Sequence, residues 1–173
     1  MYYPSLNFLK DYRIDPIIID KIDRWLSIQL RSTYHFINPQ QFAIDMKVDI
    51  ELSVDTFALC CHNPISLMNV KYRVICPNCG QTDRHITEFD FESEYYVECS
   101  NCTYSYDVSE NQEFIELFFV LLFEPEIKPT SQILLPEEVK KILGKSESLR
   151  FTDVKKGSTR RLLLNSYKNF ASD

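Results

Sequence analysis

The sequence predicts an α+β fold, with helices first, a small antiparallel unit in the middle and further helices at the end. Three observations predict it. In the first 61 residues, apolar side chains recur at three- and four-residue spacing behind Asp-Pro, Asn-Pro and Ser start signals. Between residues 65 and 106, short stretches alternate apolar and polar side chains. In that middle stretch lie two C-x2-C pairs, Cys76/Cys79 and Cys99/Cys102, separated by nineteen residues. The expected division is a helical unit at 1–75, a metal-centred unit at 76–108, and a buried helix with a basic docking segment at 109–173.

Residues 1–13 are aromatic and irregular in pattern. Asp15 then suits an N-cap and Pro16 the first helical turn. Ile18, Ile22, Trp25, Leu26 and Leu30 follow at helical spacing, with Asp20, Asp23, Arg24 and Arg31 elsewhere on the wheel. Asn38-Pro39 repeats the start signal for a second helix over about 39–47, with Phe42, Ala43 and Met46 on one side. After a turn near 48–50, Ser53 can cap a third helix to about Cys61, with Val54, Phe57, Ala58 and Cys61 facing inward. His62-Asn63-Pro64 ends it. Residues 65–75, with Val70, Tyr72 and Val74, read as a strand.

Three helices followed by a strand resemble a winged helix over roughly residues 14–75; a helical cap packed on the next unit is the other reading. The third helix argues against base reading, because residues 51–61 contain Glu51 and Asp55 and no Lys or Arg. It is expected to contact protein or its own core.

The cysteines carry the clearest chemistry. Two residues between thiolates let both reach one ion from a tight turn, and two such turns supply a tetrahedral zinc site. A redox C-x2-C requires one pair, and the usual ferredoxin spacings bunch three cysteines. Cys76-Pro77-Asn78-Cys79-Gly80 followed by Cys99-Ser100-Asn101-Cys102 resembles the zinc-ribbon family. The resemblance implies one structural zinc on Cys76, Cys79, Cys99 and Cys102. A hairpin between the pairs fits it, with strands at 87–91 and 95–98 around a turn at 92–94, and Tyr104 and Tyr106 continuing a third strand. Four cysteines leave no open position for water or substrate, so the ion is structural. Cys60, Cys61 and His62 read as buried packing residues; a second metal site is the alternative, although no further cysteine remains to complete it. His85 lies beside the first pair.

Residues 109–123 place Phe114, Ile115, Leu117, Phe118, Leu121 and Leu122 at spacings that favour a buried helix, while Phe118-Phe119-Val120 keeps a strand open. Residues 124–134 read as a linker. A short helix is expected at 136–144, with Pro at its start, Gly at its end and lysines late. Residues 160–170 interleave basic and apolar side chains, which suits either a partner's groove or packing back onto the body.

The net charge of −6 is uneven: −2 over residues 1–70, −8 over 71–124 and +4 over 125–173. A phosphate-binding surface needs Lys and Arg. The middle has the wrong sign; the tail has the right one, with Arg150, Lys155, Lys156, Arg160, Arg161 and Lys168. That run is either a solvated tail or a docking element for nucleic acid or an acidic partner.

With three glycines, the chain has no GxGxxG, GxxxxGK[ST] or GxSxG, which excludes the common phosphate cradles and nucleophile elbows. Only His35, His62 and His85 are present, without an HExxH pattern. The start lacks a basic stretch before a long apolar run, and the longest apolar run, 117–123, falls well short of a membrane span. A cytoplasmic protein is expected, with no membrane and no small-molecule substrate.

A winged helix followed by a zinc ribbon resembles the layout of general transcription factor E alpha subunits. The functional expectation is a non-catalytic, zinc-stabilised adaptor that binds other protein subunits in a nucleic-acid-handling or bacterial defence complex. The alternative is a DNA- or RNA-binding regulator that uses the basic tail. An enzyme of unrecognised type is a third reading.

Overall fold

The computed structural model describes residues 1–86, 96–127 and 148–154, together with Gly157, Arg160 and Leu163. It is a mixed fold of helices and antiparallel sheet. The opening residues are regular after all: a 3-10 helix, Pro4–Tyr12, buries Leu6 and Leu9. Buried Asp23 fastens this segment by accepting from the backbone N–H groups of Tyr2 at 2.9 Å and Tyr3 at 2.8 Å.

Helix α1 is Pro16–Ser27, and the Asp15 carboxylate accepts from the Ile17 N–H at 2.7 Å. Its inward stripe is Ile19, Ile22, Trp25 and Leu26, so Ile19 takes the place expected for Ile18. Leu30 lies beyond the helix and is 70% exposed. A 3-10 turn, Arg31–Phe36, leads to α2, Pro39–Met46, capped by Asn38 at Gln40 N–H. Helix α3 is Ile50–Leu59, and its start corrects the Ser53 assignment. Asp49 is the cap and accepts from both Glu51 and Leu52 N–H groups, where the helix dipole favours a carboxylate. Ser53 is instead buried inside the helix and donates its hydroxyl to Pro39 O at 2.8 Å, tying α3 to α2.

Strand β1, Met68–Ile75, alternates buried and half-buried side chains along its whole length. It sits at the centre of a three-stranded sheet of order β2-β1-β5, where β2 is Thr82–Ile86 and β5 is Ile115–Leu121. Both neighbours are antiparallel to it. A second, two-stranded sheet pairs β3, Tyr96–Glu98, with β4, Ser105–Asp107. Strand β4 is the one expected around Tyr106. Of the hairpin expected between the cysteine pairs, the first strand, the turn and the start of the second strand, 87–95, lie outside the described residues, and β3 pairs with β4.

The buried helix expected over 109–123 is a correction. Only a 3-10 turn, Gln112–Phe114, is helical there, and Ile115–Leu121 is a strand. Helical spacing and strand pairing both fit so apolar a run. The edge of β1 decides between them, because it offers seven residues of ladder that only an extended partner satisfies. Val70 faces Phe119 and Tyr72 faces Leu117, while Arg73 faces Glu116 and forms an ion pair with it. The run breaks alternation because Phe118 is covered as well, by the Phe36 ring at 5.2 Å and the Arg73 guanidinium at 5.9 Å. The free edge of β5 is closed in turn. Ile37 and Phe119 exchange backbone bonds of 2.9 Å, and Leu117 donates to Leu149 O at 2.7 Å.

Phe119 also joins layers. Trp25, Phe42 and Phe57 contact one another edge-on or tilted at centroid distances of 5.5–6.2 Å, and Phe57 meets Phe119 at 5.5 Å. One buried cluster thus runs from Tyr3 through the helices and the sheet to Leu163. The three-stranded sheet takes β1 from the first expected stretch, β2 from the second and β5 from the third. The helix expected at 136–144 lies outside the described residues.

Candidate metal centre

Each C-x2-C occupies the turn of its own hairpin. The first joins β1 to β2 and the second joins β3 to β4. The two turns are built alike. In the first, Gly80 N–H donates to Cys76 O and Cys76 N–H to Gln81 O, both at 2.9 Å. In the second, Thr103 N–H donates to Cys99 O and Cys99 N–H to Tyr104 O, again at 2.9 Å. The residue after each second cysteine is left-handed, with φ 69° at Gly80 and φ 57° at Thr103. That conformation suits glycine at the first turn and is tolerated at a cost by threonine at the second.

This geometry brings Cys76, Cys79, Cys99 and Cys102 together, with all four Sγ atoms within 4.8 Å of one another. Cys76 and Cys102 approach to 3.7 Å, and Cys79 and Cys99 to 3.8 Å. A tetrahedral ion with metal–sulfur bonds of about 2.3 Å requires sulfurs about 3.8 Å apart. The four residues therefore fit a single tetrahedral ion such as zinc.

The electrostatics differ between the sulfurs. The Gln81 backbone N–H and the Asn101 side-chain amide lower the Cys79 thiol to about 6. The Asn78 side-chain amide and the Tyr104 backbone N–H lower Cys102. Burial raises Cys76 to about 11. A divalent ion among the sulfurs favours the thiolate at all four positions.

Comparison with protein-family models, curated proteins and solved structures finds no match. The chemistry of the site rests on its own geometry.

Asp83, on β2, is a site residue with no motif to mark it in the sequence. Its Oδ1 accepts from both the backbone N–H and the hydroxyl of Ser100 at 3.2 Å, and its Oδ2 from the Tyr106 hydroxyl at 3.1 Å. One carboxylate thus holds the second turn and β4 against the first hairpin. Asn78 and Asn101 were visible only as the residue preceding the second cysteine of each pair.

The other candidates lie elsewhere. Cys60 and Cys61 are buried at 0% and 1% exposure, and burial pushes both thiols well up. Among the described residues they do not join the four-cysteine group. Arg150 is exposed and bridges to Glu116 through the backbone. The Arg160 guanidinium lies 3.9 Å over the Phe151 ring and donates to Gln112 Oε1 at 3.0 Å. Lys155, Lys156, Arg161 and Lys168 lie outside the described residues. Arg160 borders a cleft of about 450 Å3 together with Glu110, Glu113 and Asp153, so acids outnumber the cation among its described lining. Among the described residues, no helix is long and apolar enough to cross a membrane.

Proposed function

We propose that this chain is a non-catalytic adaptor, a zinc-ribbon subunit that binds other proteins within a nucleic-acid-handling or bacterial defence assembly. The observation that carries the reading is the closed four-thiolate cluster. Its ligands come from two hairpin turns, and a tetrahedral ion held by four cysteines has no position left for water or substrate. Such a site would fasten the three-residue strands β3 and β4, too short to hold themselves, to the larger sheet.

One further feature supports protein contact over phosphate contact. Helix α3, the recognition element if the first three helices are a winged helix, exposes Glu51 and Asp55 and carries no Lys or Arg.

The test has two arms. Metal analysis of the purified chain is expected to give about one zinc per chain, and Cys99→Ser to remove it. The chain recovered from its native host is expected to bring a stoichiometric protein partner that survives nuclease treatment. Steep salt-dependent binding to a duplex, lost on changing Lys155, Lys156, Arg160 and Arg161 to Ala, would instead establish the regulator reading.

A further inference from the structure

The two cysteine turns share a feature beyond their four thiols. Asn78 precedes Cys79 and Asn101 precedes Cys102, and each asparagine reaches across to the other turn. Asn78 Nδ2 donates to Cys102 Sγ at 3.5 Å, and Asn101 Nδ2 donates to Cys79 Sγ at 3.6 Å. The contacts are reciprocal, since each turn gives one amide to the second cysteine of its opposite. The Asn101 backbone N–H adds a bond to Cys99 Sγ at 3.4 Å. An asparagine in a tight turn is ordinarily explained by its own backbone. That explanation does not account for two side chains aimed at sulfur in the facing turn.

The charge of the site gives these bonds a purpose. Four thiolates around a divalent ion carry a net charge of −2, in a stretch of the chain, 71–124, that is itself −8. Neutral amide donors compensate that charge without placing a cation beside the ion.

We infer that Asn78 and Asn101 are the positioning residues of the metal centre, a reciprocal pair of amide latches that hold the two turns in register and stabilise the thiolate dianion. The inference rests on the zinc reading above and concerns how that ion is retained. The latches act on affinity and release, because removing one leaves four ligands but loosens the turn that presents them. Loss of one such outer partner costs about tenfold to a hundredfold in metal affinity.

Asn→Asp is the informative change. It keeps the shape and the turn preference and replaces the donor by a carboxylate facing a thiolate. The full chain is loaded with zinc, or with cobalt(II) as a spectroscopic probe, and titrated against a competing chelator. Asn78→Asp and Asn101→Asp are each expected to weaken binding by more than the tenfold lower bound, and by more than the matching Ala variants. The sulfur-to-cobalt charge-transfer band is expected to move to lower energy, since a thiolate without its N–H partner gives up charge more readily. Fluorescence of buried Trp25 shows whether the helical core is intact; if an Asp variant loses it, the Ala variants decide by the same affinity criterion. Wild type that takes up no metal would overturn the zinc reading itself. Wild type that binds, with folded variants whose affinities stay within twofold and whose bands do not shift, would overturn the latches and leave the zinc reading standing.

Discussion

Asp83 shows how much of the centre depends on a single side chain. Its three accepted bonds tie β2 to the second turn and to β4, and the residue is half-buried, so solvent replaces its partners only in part. Asp83→Ala is expected to cost about 2 kcal/mol, the range for hydrogen bonds to a charged acceptor, read by urea unfolding of the metal-loaded protein. Cys60 and Cys61 lie apart from the four-cysteine cluster. Both are encased, and Cys61 Sγ lies 3.6 Å from Phe57 O, to which it donates. In the metal-free native protein, a thiol reagent is expected to modify the half-buried Cys79 and Cys102 first and to reach Cys60 and Cys61 only on unfolding. Their ionisation also sets an alkaline limit. Burial raises both thiols above their ordinary value of 9.0, so above that pH the unfolded chain releases protons that the folded chain retains. Stability is therefore present below about pH 9 and falls as the pH rises beyond it. Urea midpoints measured from pH 7 to pH 10 check this, and Cys60→Ala is expected to flatten the decline.

Among the elements, β5 decides the architecture. It completes the sheet beside β1 and presents Phe119 to the aromatic group of Trp25, Phe42 and Phe57. Phe119→Ala is expected to cost about 3–5 kcal/mol, because the fully buried ring fills the joint between helices and sheet. Denaturant titration followed by Trp25 fluorescence measures it. The helices were readable because their signals are local: Asp15-Pro16 and Asn38-Pro39 both cap as expected, and the Val54, Phe57 and Ala58 face is buried. The start of α3 was misplaced because Asp49 and Ser53 are both competent caps, and only the tertiary bond from Ser53 to Pro39 shows which one is free to act. The nature of β5 was illegible for a stronger reason. A run apolar on nearly every side satisfies helix and strand periodicity alike, and its partner, β1, lies about forty residues away in sequence.

For the whole molecule, two kinds of stability coexist. The helices and the three-stranded sheet share a continuous apolar core, whereas the β3–β4 pair has three-residue strands and contributes Val97 and Tyr106 to it. A hairpin of that size is marginal without a cross-link. Stripping the metal with a chelator is expected to free the amides of residues 96–107 for hydrogen exchange while those of β1 and β5 stay protected. Equal loss of protection in both would show that the core depends on the ion as well. The sequence by itself determined the four clustered cysteines, the first two helix starts and the uneven charge, because turn spacing, caps and charge are properties of neighbours along the chain. Only the tertiary structure decided that a sheet drawn from all three stretches shares one core, that Asp83 clamps the two hairpins, and that each turn's asparagine serves the other's cysteine. Those are contacts between segments distant in sequence, and the residues that make them carry no spacing by which to find one another.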